Sequence, residues 1–254
     1  MKFSRAVVRI PCRRLAEGLT TQRLGKPDYE KALAQHTAYV EALKGAGLEV
    51  IVLEPDDAYP DSVFVEDTAV LTPECAVITN PGAPSRRGET ERIEETVREF
   101  YDEIVRIELP GKLDGGDVMM VGSHYYIGLS SRTNPHGAWQ LINYLKDYGM
   151  SGSTIALKEL LHLKSGAAYL ENNMLVLAGE LRDRPEFGSF EAITVDDGES
   201  YAANCLWVNG RVMIADGFPE TRRSIEGHGC DTIRLDMSEY RKLDGGLSCL
   251  SLRF

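Results

Sequence analysis

A unit of strand, strand, helix, strand returns along this 254-residue chain at intervals of about 40–50 residues, and its last copy stops short at the chain's end. In the first copy, Asp61 to Leu71 and Ala76 to Thr79 read as strands around a Pro73-Glu74 turn. Glu89 to Phe100 reads as a helix and Glu103 to Glu108 as the closing strand. The second copy places Leu113 to Val121 and Tyr125 to Leu129 around Gly122-Ser-His124. Its helix starts at Asn134 as cap with Pro135 in first position, and Thr154 to Leu157 closes it. The third has Ala168 to Glu171, an Asn172-Asn173 turn and Met174 to Ala178, but Glu180 to Phe187 reads as loop where a helix is due. The fourth runs from Ala203 through an Asn209-Gly210 hairpin turn to Ala215, then a helix from Pro219 to His228 and a strand from Thr232 to Leu235. The fifth begins at Gly245 and ends with the chain at Phe254. Its missing parts stand at the other terminus: Ala6 to Ile10, a helix from Pro27 to Ala46, and Leu48 to Leu53. Pairing the two terminal strands closes a ring and leaves no bare sheet edge. The expectation is a five-bladed α/β propeller forming a single catalytic domain over residues 1–254, with a mixed α/β sandwich as the alternative.

Bulk properties narrow the partners. A net charge of −11 opposes binding to nucleic acid or to an anionic membrane and mildly favours a cationic substrate. No run approaches the ~18–20 apolar residues of a membrane span, and charges interrupt the amino terminus too soon for a signal peptide. Five cysteines, an odd number without CxxC spacing, argue against a disulfide framework or structural zinc and fit a reducing cytoplasm.

Chemistry points first to Cys249, in an apolar strand-like run after Gly245-Gly246, a pair that permits unusual backbone geometry at a site entrance. Cys12, Cys75, Cys205 and Cys230 lack that setting and read as structural. His162 lies at a unit start, in register with the Asp61 and Asp114 regions, whereas His36, His124, His136 and His228 suit the surface. A thiol, an imidazole and the carboxylate of Asp114 can form a nucleophile set scattered in sequence and joined in space. The alternative for Cys249 is a small core hydrophobe, and for His162 a non-catalytic place. Glu66-Asp67 after Val63-Phe-Val65 is an unusual position for two acids, suited either to a hairpin end or to a planar cation. Arg86 and Arg132 occupy loops after hairpins in successive units, where arginines can clamp a carboxylate, while Arg87 reads as solvated.

Six segments together resemble the dimethylarginine dimethylaminohydrolase family of the guanidine-modifying superfamily. They are Phe64-Val-Glu-Asp-Thr-Ala69, Asn80-Pro-Gly-Ala-Pro-Ser-Arg-Arg-Gly-Glu89, Leu113-Asp-Gly-Gly-Asp-Val118, Gly128-Leu-Ser-Ser-Arg-Thr-Asn134, Leu161-His-Leu-Lys-Ser165 and Asp244-Gly-Gly-Leu-Ser-Cys-Leu-Ser-Leu-Arg-Phe254. The resemblance covers nearly the whole chain. It implies a five-bladed propeller and hydrolysis of Nω-methylated arginines to citrulline and an alkylamine, without metal or cofactor. It also implies roles: Cys249 as nucleophile, His162 as general acid and base, and Asp114 as the acid orienting the histidine, where some relatives have Glu. Glu66 and Asp67 would face the guanidinium. Asp61, Arg86 and Arg132 would grip the amino and carboxylate groups, with a lid near Gly18-Leu19.

The nearest rival is an arginine deiminase of the same superfamily, although the typical helical insertion is absent from the sequence. A non-catalytic binding protein that kept the fold is the rival from another class. On this reading Cys249 alkylates fast at neutral pH and is protected by substrate. Outer helices of the ring can pair two copies into a homodimer.

Overall fold

The computed structural model describes residues 2–254, whose strands form five three-stranded sheets. Strand β1 (Arg5–Arg9) is followed by helix α1 (Tyr29–Gly45) and β2 (Glu49–Leu53). The next unit holds β3 (Ala69–Leu71), β4 (Ala76–Ile78), α2 (Glu89–Val97) and β5 (Ile104–Arg106). Then come β6 (Val118–Val121), β7 (His124–Leu129), α3 (Pro135–Asp147) and β8 (Ser151–Ala156). The following unit is β9 (Ala167–Tyr169), β10 (Met174–Leu177) and β11 (Glu191–Thr194). The chain continues with β12 (Leu206–Val208), β13 (Arg211–Ala215), α4 (Pro219–Gly227) and β14 (Asp231–Leu235). A short helix α5 (Ser238–Arg241) and β15 (Leu252–Arg253) end it.

In every sheet the middle strand pairs antiparallel with one neighbour and parallel with the other, because the parallel partner is reached by a crossover. The ring closes as the repeat requires: β15 pairs antiparallel with β1, setting Ala6 opposite Arg253 and Val7 opposite Leu252. The fold is therefore a five-bladed α/β propeller. The first strands of neighbouring sheets meet around the axis, β6 against β9, β9 against β12, and β15 against β3. Middle strands such as Ala76–Ile78 and Met174–Leu177 are wholly buried, which accounts for their unbroken apolar runs.

Helices cover the outside of the sheets. Asp28 caps α1 by accepting the Lys31 N–H at 2.8 Å, and Asn134 caps α3 through the Gly137 N–H at 2.9 Å with Pro135 in first position. The third unit has no α-helix. Two 3-10 turns at Gly179–Leu181 and Pro185–Phe187 bury Leu181 and Phe187 in its place, so the loop reading there holds.

Three readings are corrected. Runs expected as strand just before β3, β6 and β15 are 3-10 turns at Val65–Thr68, Gly115–Asp117 and Ser248–Leu250, and a fourth stands at Leu163–Ser165. Close packing at the axis leaves no room for a ladder there: a Cβ on Gly115 would stand 1.9 Å from the Glu66 carbonyl oxygen. His36 is buried instead of exposed, because it shares the inward stripe of α1 with Ala32, Tyr39, Val40 and Leu43. Finally, Gly245 and Gly246 do not adopt positive φ; the left-handed residue is Asp244 at φ 59°. The glycine pair provides space instead, since Cβ atoms there would meet the Phe64 ring at 2.2 Å and the Asn204 side chain at 2.4 Å.

Candidate active site

The 3-10 turns around the axis carry the chemistry. Asp114 and His162 occupy equivalent positions, each in extended conformation just before the turn of its unit. Cys249 sits inside the turn Ser248–Leu250, with its N–H on the Gly246 carbonyl at 3.2 Å. His162 and Cys249 meet at a cavity of about 190 Å³ lined by Leu19, Asp61, Asp67, Arg86, Arg132, His162 and Cys249, with Phe64, Leu161 and Leu243 as apolar wall. Seven of the nine residues expected from sequence therefore face one space.

The eighth, Asp114, stands directly behind His162. Fully buried, it accepts a hydrogen bond from His162 Nε2 at 3.0 Å and from the Gly82 N–H at 2.7 Å. Arg132 Nη1 lies 3.6 Å from the same carboxylate. Asp67 accepts from the Gly116 N–H at 2.9 Å and from Arg86 Nη1 at 2.5 Å, and lies 3.9 Å from His162 Nε2. Burial alone would lower the His162 pKa, but Asp67, Asp114 and Asp117 outweigh it and raise it to about 9, so the ring is an imidazolium at neutral pH. Burial opposes ionisation of Asp67, yet His162 and Arg86 hold it well below the usual carboxylate range.

The ninth residue, Glu66, departs from expectation. It lines a second cavity of about 140 Å³ that is walled by the first strands of all five sheets. Its carboxylate meets Lys164 Nζ at 2.6 Å and Arg253 Nη2 at 3.0 Å, and accepts the Ser248 hydroxyl at 2.8 Å. Two cations and a hydroxyl already satisfy it, whereas Asp67 lines the cavity that holds Cys249 and His162. The 140 Å³ cavity contains neither Cys249 nor His162 and is not the seat of the chemistry.

Arg86 also differs from the open clamp expected. Nε and Nη2 reach Glu89, Nη2 also meets the Phe64 carbonyl at 2.8 Å, and Nη1 holds Asp67. One Nη1 hydrogen is left without an acceptor among the described residues. Arg132 is less engaged. Asp61 accepts the Leu19 N–H at 2.9 Å, so Leu19 touches the site through its backbone while the residue is 41% exposed.

Burial pushes the Cys249 thiol up to about 12, reinforced by the negative charges of Glu66 and Asp67; the Gly246 N–H, 3.4 Å from Sγ, and Lys164 pull the other way. The resting pair is thus thiol and imidazolium. Cys249 itself is only partly buried, and the raised pKa makes its reactivity at neutral pH depend on a cation entering the cavity beside Sγ. Asp67, Asp114 and His162 bring one oxygen or nitrogen each within 4.8 Å of one another, the spacing of a cation site, but a metal there would have to displace the His162 proton. Sequence reasoning passed over Lys164, Glu89 and Asn204. Lys164 and Glu89 lie inside the segments that carried the resemblance, and their signal was charge in an apolar, Gly-rich setting.

A closed ring of five α/β units with a thiol, an imidazolium and carboxylates converging on its axis defines a guanidine-modifying enzyme of the pentein class. The sequence model of eukaryotic N,N dimethylarginine dimethylhydrolases matches residues 21–182. An N(G),N(G)-dimethylarginine dimethylaminohydrolase of Pseudomonas aeruginosa is 54% identical over 253 residues, 99% of this chain and 100% of that protein. One from Streptomyces coelicolor is 38% identical, covering 100% and 98%. A solved cysteine-to-serine variant of the Pseudomonas aeruginosa enzyme, complexed with citrulline, superposes with a TM-score of 0.99 over 100% of both chains. The amino-terminal domain of the cyanobacterial arginine dihydrolase ArgZ shares the fold at 17% identity, with a TM-score of 0.88 over 100% of this chain and 97% of that one. The chain belongs to the dimethylarginine dimethylaminohydrolase family.

Proposed function

We propose that this chain hydrolyses asymmetric dimethylarginine and monomethylarginine to citrulline and dimethylamine or methylamine, acting as one catalytic domain over residues 1–254. The observation that carries the reading is the Asp114–His162–Asp67 cluster, a buried imidazolium between carboxylates, on the wall of the cavity that holds the Cys249 thiol. The names of the full-length relatives support the substrate class.

The substrate guanidinium lies against Asp67, and its positive charge beside Sγ favours loss of the thiol proton to solvent. The thiolate forms a C–S bond to the guanidinium carbon, giving a neutral tetrahedral adduct. His162 gives its proton to the dimethylamino nitrogen, the C–N bond breaks, and dimethylamine leaves behind a cationic thiouronium on Cys249. Neutral His162 then takes a proton from water, and the hydroxide adds to the same carbon. Collapse breaks the C–S bond, and the hydroxyl proton returns to the departing sulfur, restoring thiol, imidazolium and the ureido product. Asp114 holds His162 in the donating orientation throughout. Asp61 receives the α-ammonium, and Arg132, with the one free hydrogen of Arg86, receives the α-carboxylate.

The five cysteines are free thiols, which supports a reducing, cytoplasmic setting. No helix among the described residues is long and apolar enough to cross a membrane. For a homodimer, exposed Trp139 on α3 and Leu109 are the apolar residues that outer-helix pairing would cover, and sedimentation of a Trp139→Glu variant tests it.

The test incubates the protein with asymmetric dimethylarginine, monomethylarginine, arginine and agmatine, and quantifies ureido product and released amine. Citrulline with alkylamine, abolished in Cys249→Ser while ligand binding persists, is the expected result. Ammonia from arginine or agmatine would move the chain to deiminase chemistry; full activity of Cys249→Ser would end the mechanism.

A further inference from the structure

We propose that the Asp244 carboxylate is the latch that holds the loop Leu19–Gln22 over the cavity, a positioning role exerted through the lid. Residues 19–27 make no backbone–backbone hydrogen bond among the described residues. Neither leucine of this stretch anchors it, since Leu19 is 41% and Leu24 49% exposed; only Pro27, at its far end, is buried. Five polar contacts tie Leu19–Gln22 to the body. The Leu19 N–H reaches Asp61 at 2.9 Å and the Thr20 hydroxyl reaches the Lys242 carbonyl at 2.8 Å. The other three converge on Asp244: the Thr21 N–H at 2.6 Å, the Thr21 hydroxyl at 2.9 Å and Gln22 Nε2 at 2.7 Å. An ionised carboxylate accepting three donors is the strongest anchor of the set.

The backbone aims that carboxylate. Asp244 is in the left-handed region at φ 59°, which Asp and Asn tolerate better than other side chains and glycine adopts freely. It precedes Gly245, which packs on Phe64, and lies five residues before Cys249. Thr20, Thr21 and Asp244 all line the cavity that holds His162 and Cys249. One side chain therefore joins the loop above the cavity to the turn that carries the nucleophile.

The test uses two variants. Asp244→Gly removes both acceptor oxygens, and with them all three hydrogen bonds, and keeps the positive φ; Asp244→Asn keeps the φ preference and one acceptor oxygen. In the unliganded protein, amide exchange at Thr21 and Gln22 accelerates about tenfold or more in Asp244→Gly, and trypsin cleavage after Arg23 quickens, while exchange in β1, β4 and β7 stays unchanged. This arm does not depend on catalysis, so it stands apart from the reading of function on which the kinetic arm rests. With a methylarginine substrate, KM rises several-fold and kcat stays within twofold, because only the closed fraction of the protein binds. Asp244→Asn falls between native and Asp244→Gly on both readouts. Unchanged Thr21 exchange in Asp244→Gly overturns the latch, and so does a fall in kcat at constant KM, which would place Asp244 in the chemical step. If Asp244→Gly does not fold, the double variant Thr21→Ala/Gln22→Ala removes two donors from the lid side and must speed exchange in the same loop.

Discussion

A single methyl group at Gly116 tests the site's geometry most directly. Its Cβ would stand 2.8 Å from His162 Nδ1, 2.9 Å from His162 Cγ and 2.8 Å from Asp67 Oδ1. Ordinary contact begins near 3.4 Å, so ring and carboxylate must each recede by about 0.6 Å. Neither is free to do so at no cost. Asp67 is held by Arg86 and by the Gly116 N–H itself, and His162 by Asp114 at 3.0 Å. A misplacement of ~1 Å at a catalytic group costs roughly 10²-fold, so Gly116→Ala should lower kcat/KM about 10- to 100-fold. Overpacking should cost about 1–3 kcal/mol of stability, leaving a folded protein to assay. The measurement is kcat/KM on asymmetric dimethylarginine beside thermal unfolding, with the His162 pKa followed by NMR, which should fall as the ring leaves its carboxylates. Gly45→Ala is the control: nothing lies within 4 Å of its Cβ at the end of α1, so activity should hold and stability rise by up to ~1 kcal/mol. A Gly116→Ala enzyme within twofold of native would refute the contact between this turn and the imidazolium.

Other expectations follow from the same charges. Alkylation at Cys249 in the unliganded protein, followed by mass spectrometry, should climb steadily from pH 7 to 10, since burial pushes that thiol to about 12; a plateau below pH 8 would contradict it. The alkaline limb of kcat/KM should fall near pH 9 as His162 loses the proton it gives the leaving amine, and Asp114→Asn should move that limb to lower pH. Lys164→Met leaves the buried Glu66 with Arg253 as its only cation and should cost about 3 kcal/mol by denaturant titration, most of it regained in Lys164→Met/Glu66→Gln. His36 is buried with its folded pKa lowered to about 4, so the unfolded chain binds more protons between its usual ~6.5 and 4. Stability should drop by about 3 kcal/mol as pH falls through that window, and His36→Leu should flatten this part of the profile; an unchanged slope would place the ring in solvent.

The ring was legible because its evidence is repetition: hairpin signals, capped helices and a truncated last unit completed by the amino terminus. Asn209-Gly210, both with positive φ, and Asn134-Pro135 carry their geometry in their residue types. The turns at Val65–Thr68 and Ser248–Leu250 were not legible, since Val, Phe and Leu runs read as strand and only axial crowding prevents pairing. His36 could have been placed inside from the period of α1, where it falls on the stripe of Ala32, Tyr39 and Leu43. The partition of Glu66 and Asp67 to different cavities was beyond reach, because adjacent residues in a turn point apart and no period fixes which way. Nor could sequence distinguish Arg86, engaged by Glu89 and Asp67, from the freer Arg132.

The placement of the chemistry follows from how the units interlock. Each seam must satisfy the turn N–H groups that face the axis, where water has little access. In three seams a side chain of one unit does so for the next: Asp67 accepts the Gly116 N–H, Asp117 the Leu163 N–H at 2.9 Å, and Asn204 the Ser248 N–H at 3.0 Å. These acceptors surround the axis for a structural reason alone. Asp117 is closed off by Ser130 at 2.6 Å, and Asn204 by the Lys164 carbonyl and Ser248. Asp67 alone of the three also lines the cavity, 3.9 Å from the imidazolium. A carboxylate fixed by the closure of the ring thus also faces the cavity, at the place the proposed mechanism gives to the substrate cation, and its rigidity costs the site nothing further.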